Sequence, residues 1–268
     1  MEGIGRGCIY AVTMPQLGTR SRKLANATRL AVQHPTWLQE NLRNKARARS
    51  DRNRRFVLAD HSELLCSVAD ALRNALGISA EEYLALASRV RIPRAPQHSR
   101  WGGGDDVLNL TGSLVLLRRP EVVVETGVAM GFSTAVILAA MADNDVGVLH
   151  SIDLPPMQVD ANFVGGIVPG ELRGRWRLHV GPTRTLLPRL TRTVAPIDLF
   201  VHDSDHSYAG QAEGYRQAWP YLAPGACLIS DDVCNSAFVD FAMEIGERPY
   251  LIAPPGQSAA VGLLVKTR

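Results

Sequence analysis

The sequence predicts an α/β fold: a mostly parallel sheet covered by helices on both faces, preceded by a basic arm and a helical extension. Three observations carry that prediction. From about residue 107, short β-branched runs alternate with helix-length apolar segments, as strands joined by helical crossovers do. The ionisable residues of this region fall where those runs end. Near the C-terminus two apolar runs flank Pro254-Pro255-Gly256-Gln257, which suits an antiparallel pair closing the sheet.

The bulk properties set the frame. With 268 residues and 46% hydrophobic content the chain can bury a full core. No stretch approaches the roughly 18 uninterrupted apolar residues of a transmembrane helix. The opening MEGIGRGCIYAVTMPQ lacks the charged-then-apolar design of a signal peptide. Cys8, Cys66, Cys227 and Cys234 form neither a Cys-x-x-Cys pair nor a dense framework, so reduced thiols in a cytoplasm are expected.

Residues 1–55 form the basic arm. Residues 1–60 hold 12 Lys and Arg against 4 Asp and Glu, whereas the remainder holds 17 against 22. The stretch Arg43 to Arg55 has no interleaved aromatics and no reading motif, so nucleic acid is not the expected partner. A solvated, partly helical arm or a contact in a homo-oligomer is.

Residues 56–106 read as a helical cap and linker. HSELLCSVADALRNALG places Leu64, Leu65, Val68, Leu72 and Leu76 on one helix face, with Gly77 as a stop. Ser79 reads as the N-cap of a second helix that ends ahead of Pro93. The linker PRAPQHSRWGGGDD follows.

The third region, 107–268, carries strands at 121–126, 147–154, 175–181, 196–203 and 225–232, with the apolar helix STAVILAAMADN after the first. Ligands of such sheets bind beyond the carboxyl ends of the strands, near the point where strand order reverses. Glu125, Asp153, Gly181, Asp203, Asp231 and Asp232 all fall at strand ends. The first turn reads Glu125-x-Gly127-x-x-x-Gly131-x-Ser133. Its glycines admit close approach of a ligand. A pyrophosphate-binding turn would read G-x-G-x-x-G; here the middle glycine is absent and a carboxylate precedes the turn. That suits a cationic ligand without phosphate, although an ordinary strand–turn–helix also uses two glycines. Asp153, at the second strand end, is placed to accept ribose hydroxyls or to cap a helix.

These stretches, VVVETGVAMGFST, SIDLP, HVGPTRTLLPRL, IDLFVHDSDHSY and LISDDV, resemble the class I S-adenosylmethionine-dependent methyltransferases, with a Rossmann-like sheet. More narrowly they are similar to metal-dependent O-methyltransferases of the macrocin and sugar-methylating type. The resemblance implies that Glu125, Gly127, Gly131 and Ser133 line the methionine part of S-adenosylmethionine. It also implies that Asp153 holds the ribose and that Thr183 lies near the adenine. Pro182 departs from the small polar or acidic residue that the family often has there. Asp203, Asp231 and Asp232 are implied ligands of Mg²⁺ or another divalent cation, which would relieve the repulsion of three converging carboxylates. Asp231 and Asp232 capping the next helix is the other reading.

Methyl transfer to oxygen needs alignment and a base. His206 is the natural base and Asp205 its rival, since related enzymes place the base at either position. His202, one residue before Asp203, alternates to the opposite face and reads as structural. The expected acceptor is a small molecule or glycan, with a hydroxyl on a sugar or natural product. The long loop 157–176 reads as a lid, with Trp176 as an apolar wall, and residues 56–106 as further cover. A nucleotide- or NAD-dependent oxidoreductase and a non-catalytic interaction module are the alternatives.

Overall fold

Short apolar runs buried on both faces have only one economical partner, another strand, and the chain pairs eight of them. The computed structural model describes residues 28, 32, 37–51, 58–93, 104–155, 163–253 and 259–268. Helix α1 spans Trp37–Asp51, and a 3-10 segment, Leu58–Leu64, leads into strand β1 (Leu65–Cys66). Helices α2 (Val68–Leu76), α3 (Ala80–Ala87) and α4 (Asp105–Arg118) follow, then β2 (Val122–Thr126) and α5 (Phe132–Asn144). Next come β3 (Val148–Asp153), β4 (Trp176–Val180), α6 (Thr183–Val194), β5 (Ile197–His202) and α7 (Tyr208–Ala218). The chain closes with β6 (Leu222–Val233), α8 (Ala237–Ile245), β7 (Tyr250–Ile252) and β8 (Ala260–Val265).

The strand order is β1-β7-β8-β6-β5-β2-β3-β4. All neighbours are parallel except β8, which runs antiparallel between β6 and β7. The antiparallel pair expected at the C-terminus is therefore present, although its Pro-Pro-Gly-Gln turn lies outside the described residues. Each face of the sheet carries its own core. Leu108, Leu114, Ile137 and Met141 pack on one side, and Phe200, Tyr215, Phe238 and Phe241 on the other. Helix α5 is buried nearly all round, which explains why its sequence is apolar without a clear stripe.

Three expectations change. The stretch 61–77 is not one helix. Ser67 caps α2 by accepting from Asp70 N, and Leu65 and Cys66 pair in parallel with Leu251 and Ile252 instead. Sheet pairing thus overrides a good helical period. Ser79 does cap α3, in a reciprocal capping box with Glu82. Residues 163–175 are not a lid either. Phe163, Val164, Ile167 and Val168 are buried, and the backbone is pinned to the first glycine turn by Gly165 N to Ala129 O and Ile167 N to Met130 O. The first part of the proposed lid, 157–162, lies outside the described residues, as does most of the 93–106 linker.

The third change concerns what covers the strand ends. Helices α2, α3 and α4 pack on β7, on one another and on α5, and none of them lines the cleft there. Helix α1, from the basic arm, packs on α7 instead.

Candidate active site

Strand order reverses between β2 and β5, and the turns after these strands touch. Gly127 has φ +86, and an added Cβ would overlap the main-chain oxygen of Asp203. Gly127 N donates to Ile152 O at 2.8 Å and Asp203 N to Thr126 O at 2.7 Å. A cleft opens here, lined by Gly127, Asp153, Thr183, Asp203, Asp205 and Glu213 among others. Its outer wall is α1, through Glu40, Asn44 and Arg47.

Of the six residues expected around the cofactor, Gly127, Asp153 and Thr183 line this cleft. Glu125, Gly131 and Ser133 stand behind it. Glu125 is fully buried and accepts from Ser133 Oγ (2.6 Å), Thr134 Oγ1 (2.7 Å) and Ser151 Oγ (2.7 Å). Burial raises its carboxyl above the ordinary range, and the three hydroxyls pull it partly back. Gly131, at φ +98, faces Val168 and Gly165 and opens α5. Asp153 Oδ2 accepts from Val128 N at 2.8 Å and Ala129 N at 2.7 Å, so this carboxylate shapes the glycine turn as well as the cleft. Burial raises it too.

Trp176 is not a wall of the cleft. It is 8% exposed, packs under Gly165 and donates from Nε1 to Ser151 Oγ at 2.9 Å.

The residues expected to hold a metal come from the loop after β5 and from a bulge near the end of β6. Burial first, then the carboxylates of Asp231, Glu125, Asp232 and Asp153, push Asp203 well above the usual carboxylate range. Burial and Asp232 raise Asp231 likewise. Asp232 is exposed at φ +47, in a bulge where the β6–β8 register shifts between Ser230 and Val233. The donor set, three oxygen ligands with too much negative charge, fits a hard divalent cation. Among the described residues, however, no three His, Cys, Asp or Glu side chains are gathered as a ligand group.

His206 Nε2 lies 3.4 Å from Asp203 Oδ1. Asp205 is differently engaged. Its Oδ2 pairs with Arg47 at 3.3 Å, its Oδ1 accepts from Ser207 N at 3.1 Å, and its carboxyl packs over Gly210. His202 is 1% exposed among Phe200 and Tyr215 on the far face, as its place on the strand implied.

Sequence reasoning did not identify α1. Arg184 pairs with the buried Glu40 at 2.8 Å, and Arg47 reaches Glu213 at 3.4 Å as well as Asp205. These partners lie 144 to 166 positions apart in sequence, and no local pattern signals them.

A doubly wound sheet whose last strand, β8, runs antiparallel between β6 and β7, with acids and glycines around its switch point, has the Rossmann-like fold of class I methyltransferases. A family profile described as a methyltransferase domain matches residues 124–233. The fold is shared with an O-methyltransferase of tomaymycin synthesis from Streptomyces achromogenes, solved with S-adenosylmethionine. That chain is 19% identical over 75% of this chain and 96% of its own, with a TM-score of 0.53. An O-methyltransferase from Bacillus cereus, solved with S-adenosylhomocysteine, is 16% identical over 74% and 97%, with a TM-score of 0.51. No curated protein matches the chain in sequence. No helix among the described residues is long and apolar enough to cross a membrane.

Proposed function

We propose that the chain transfers the methyl group of S-adenosylmethionine to a hydroxyl oxygen of a small-molecule or glycan acceptor. The observation that carries this reading is the cleft itself. Gly127, Asp153, Thr183 and Asp203 open into one space across the switch point of a methyltransferase-type sheet.

In the reaction a C–O bond forms as the donor's C–S bond breaks, and the hydroxyl proton passes to a base. Gly127 allows the donor to approach the backbone, Asp153 offers its remaining oxygen to the ribose, and Thr183 borders the adenine. Glu125, Gly131 and Ser133 shape the turn from behind. His206 takes the proton. This assignment is supported by the engagement of Asp205 with Arg47 and Ser207, while the His206 ring faces Asp203. A divalent cation such as Mg²⁺, held by Asp203, Asp231 and Asp232, would offset their repulsion and lower the cost of the acceptor's alkoxide.

Calorimetry should show binding of S-adenosylmethionine and of S-adenosylhomocysteine. Asp153→Ala should weaken both by about an order of magnitude or more, one to two kcal/mol of lost hydrogen bonding. Tight NADH binding with no response to S-adenosylmethionine would overturn the proposal.

A further inference from the structure

Behind the loop that carries Asp203 and His206 and the β6 bulge that carries Asp231 and Asp232 lies a pair of amides. Gln211 of α7 is 0% exposed and Asn235, after β6, is 5% exposed. Gln211 Nε2 donates to the main-chain oxygens of Asp231 (3.4 Å) and Asp232 (3.3 Å). Its Oε1 accepts from Asn235 Nδ2 at 2.9 Å, and the same nitrogen donates to the His206 carbonyl at 2.9 Å. Asn235 Oδ1 accepts from Ala237 N at 2.9 Å, which fixes the direction of the whole relay. Each amide oxygen thus has a donor, and each amide nitrogen has two acceptors.

The pair answers a specific structural need. Asp231 and Asp232 occupy the β6 bulge, where the ladder to β5 has ended at Ser230 and the ladder to β8 resumes only at Val233. Their carbonyls lose their ladder partners there, and a carbonyl left unpaired away from water costs roughly 1–3 kcal/mol; the part-buried bonds from Gln211 supply donors instead. An apolar residue at Gln211 would take this donor from the Asp232 carbonyl and leave the Asp231 carbonyl with Ser230 Oγ alone, at 3.3 Å. A carboxylate there would add charge beside three acids that already repel one another. A neutral donor amide satisfies both conditions.

We infer that Gln211 and Asn235 are positioning residues that fix the 231–232 bulge relative to the loop bearing His206. Neither side chain lines the cleft, so the pair acts through the groups it holds. The inference rests on the proposed methyl transfer for its kinetic consequence, but the mechanical coupling of the loop and the bulge can be read independently.

The test compares Gln211→Met, which keeps length and loses the donors, with Asn235→Asp, which keeps shape and puts an oxygen against two acceptors. Amide hydrogen exchange should rise about tenfold or more in both 203–207 and 231–234, and stay unchanged in 126–131, because only the tether is lost. Affinity for S-adenosylhomocysteine should stay within about threefold, and kcat should fall roughly 10- to 100-fold, as for a misplacement near 1 Å. Gln211→His, retaining one ring N–H, should lie between wild type and Gln211→Met and serves where Met does not fold. Unchanged exchange in both segments, or a loss of S-adenosylhomocysteine affinity as large as the loss of kcat, overturns the inference. If the wild-type protein neither binds nor turns over S-adenosylmethionine, the methyl-transfer reading fails, and the exchange comparison still decides whether the pair couples the loop and the bulge.

Discussion

At the scale of single residues, burial decides protonation, and His202 is the clearest case. Burial, and to a lesser degree His206, pushes its imidazole down to about 3. In the unfolded chain the same group titrates near ~6.5. Between those values the unfolded state takes up a proton that the fold refuses. The stability tied to neutral His202 is therefore complete above ~6.5 and is lost as pH falls toward 3, an effect of order a few kcal/mol. In His202→Phe the melting temperature should fall less steeply between about pH 6.5 and 4, measured by calorimetry across a pH series. An unchanged slope would count against His202 as a source of acid sensitivity. The position of this residue was legible in the sequence, because strand alternation turns it away from Asp203. The environment of Glu125 was not. Its three hydroxyl partners come from α5 and β3, and a strand-end acid reads the same whether it faces a ligand or three serines and threonines.

At the scale of elements, the central strands were legible to within one to three residues, because each is an apolar run short enough to be nothing else. Helix α1 was not. Its sequence is basic and weakly patterned, which reads as a solvated face, yet Glu40, Asn44 and Arg47 form one wall of the cleft. The expectation that the arm stands apart from the site gives way to a wall anchored by Glu40–Arg184 and by Arg47 with Asp205 and Glu213. Such partly exposed pairs contribute at most about 1 kcal/mol each. Arg47→Ala alone should then weaken S-adenosylhomocysteine binding by no more than roughly fivefold. Deleting residues 1–51 removes the wall entirely and should weaken binding by about tenfold or more in a chain that still folds, since shielding of the bound ligand is lost as well. Titration calorimetry on both variants checks this. Wild-type affinity in the truncated chain would return α1 to a solvated arm or an oligomer contact.

At the scale of the whole molecule, the cleft bridges the two directions in which the sheet was wound. One wall follows β2, β3 and β4, the other follows β5, and β6 brings Asp231 and Asp232 in beside it. A ligand that engages both walls binds the folded state alone and must stabilise it by mass action. Asp203 makes a divalent cation the sharpest test of this. Its carboxyl is raised well above the usual range by burial and by acids from β2, β3 and β6, so the apo fold carries repulsion that bound charge would relieve. Mg²⁺ at about a hundredfold its Kd should add about 2.7 kcal/mol and raise the melting temperature by roughly 5–10 °C. Asp231→Asn should remove most of that increment while leaving S-adenosylhomocysteine affinity within about threefold, because the ligand's expected contacts are Gly127, Asp153 and Thr183. EDTA should abolish methyl transfer and Mg²⁺ should restore it. Full turnover in excess EDTA, together with a melting temperature indifferent to Mg²⁺, would leave the three carboxylates to a different task and His206 to act on the acceptor unaided.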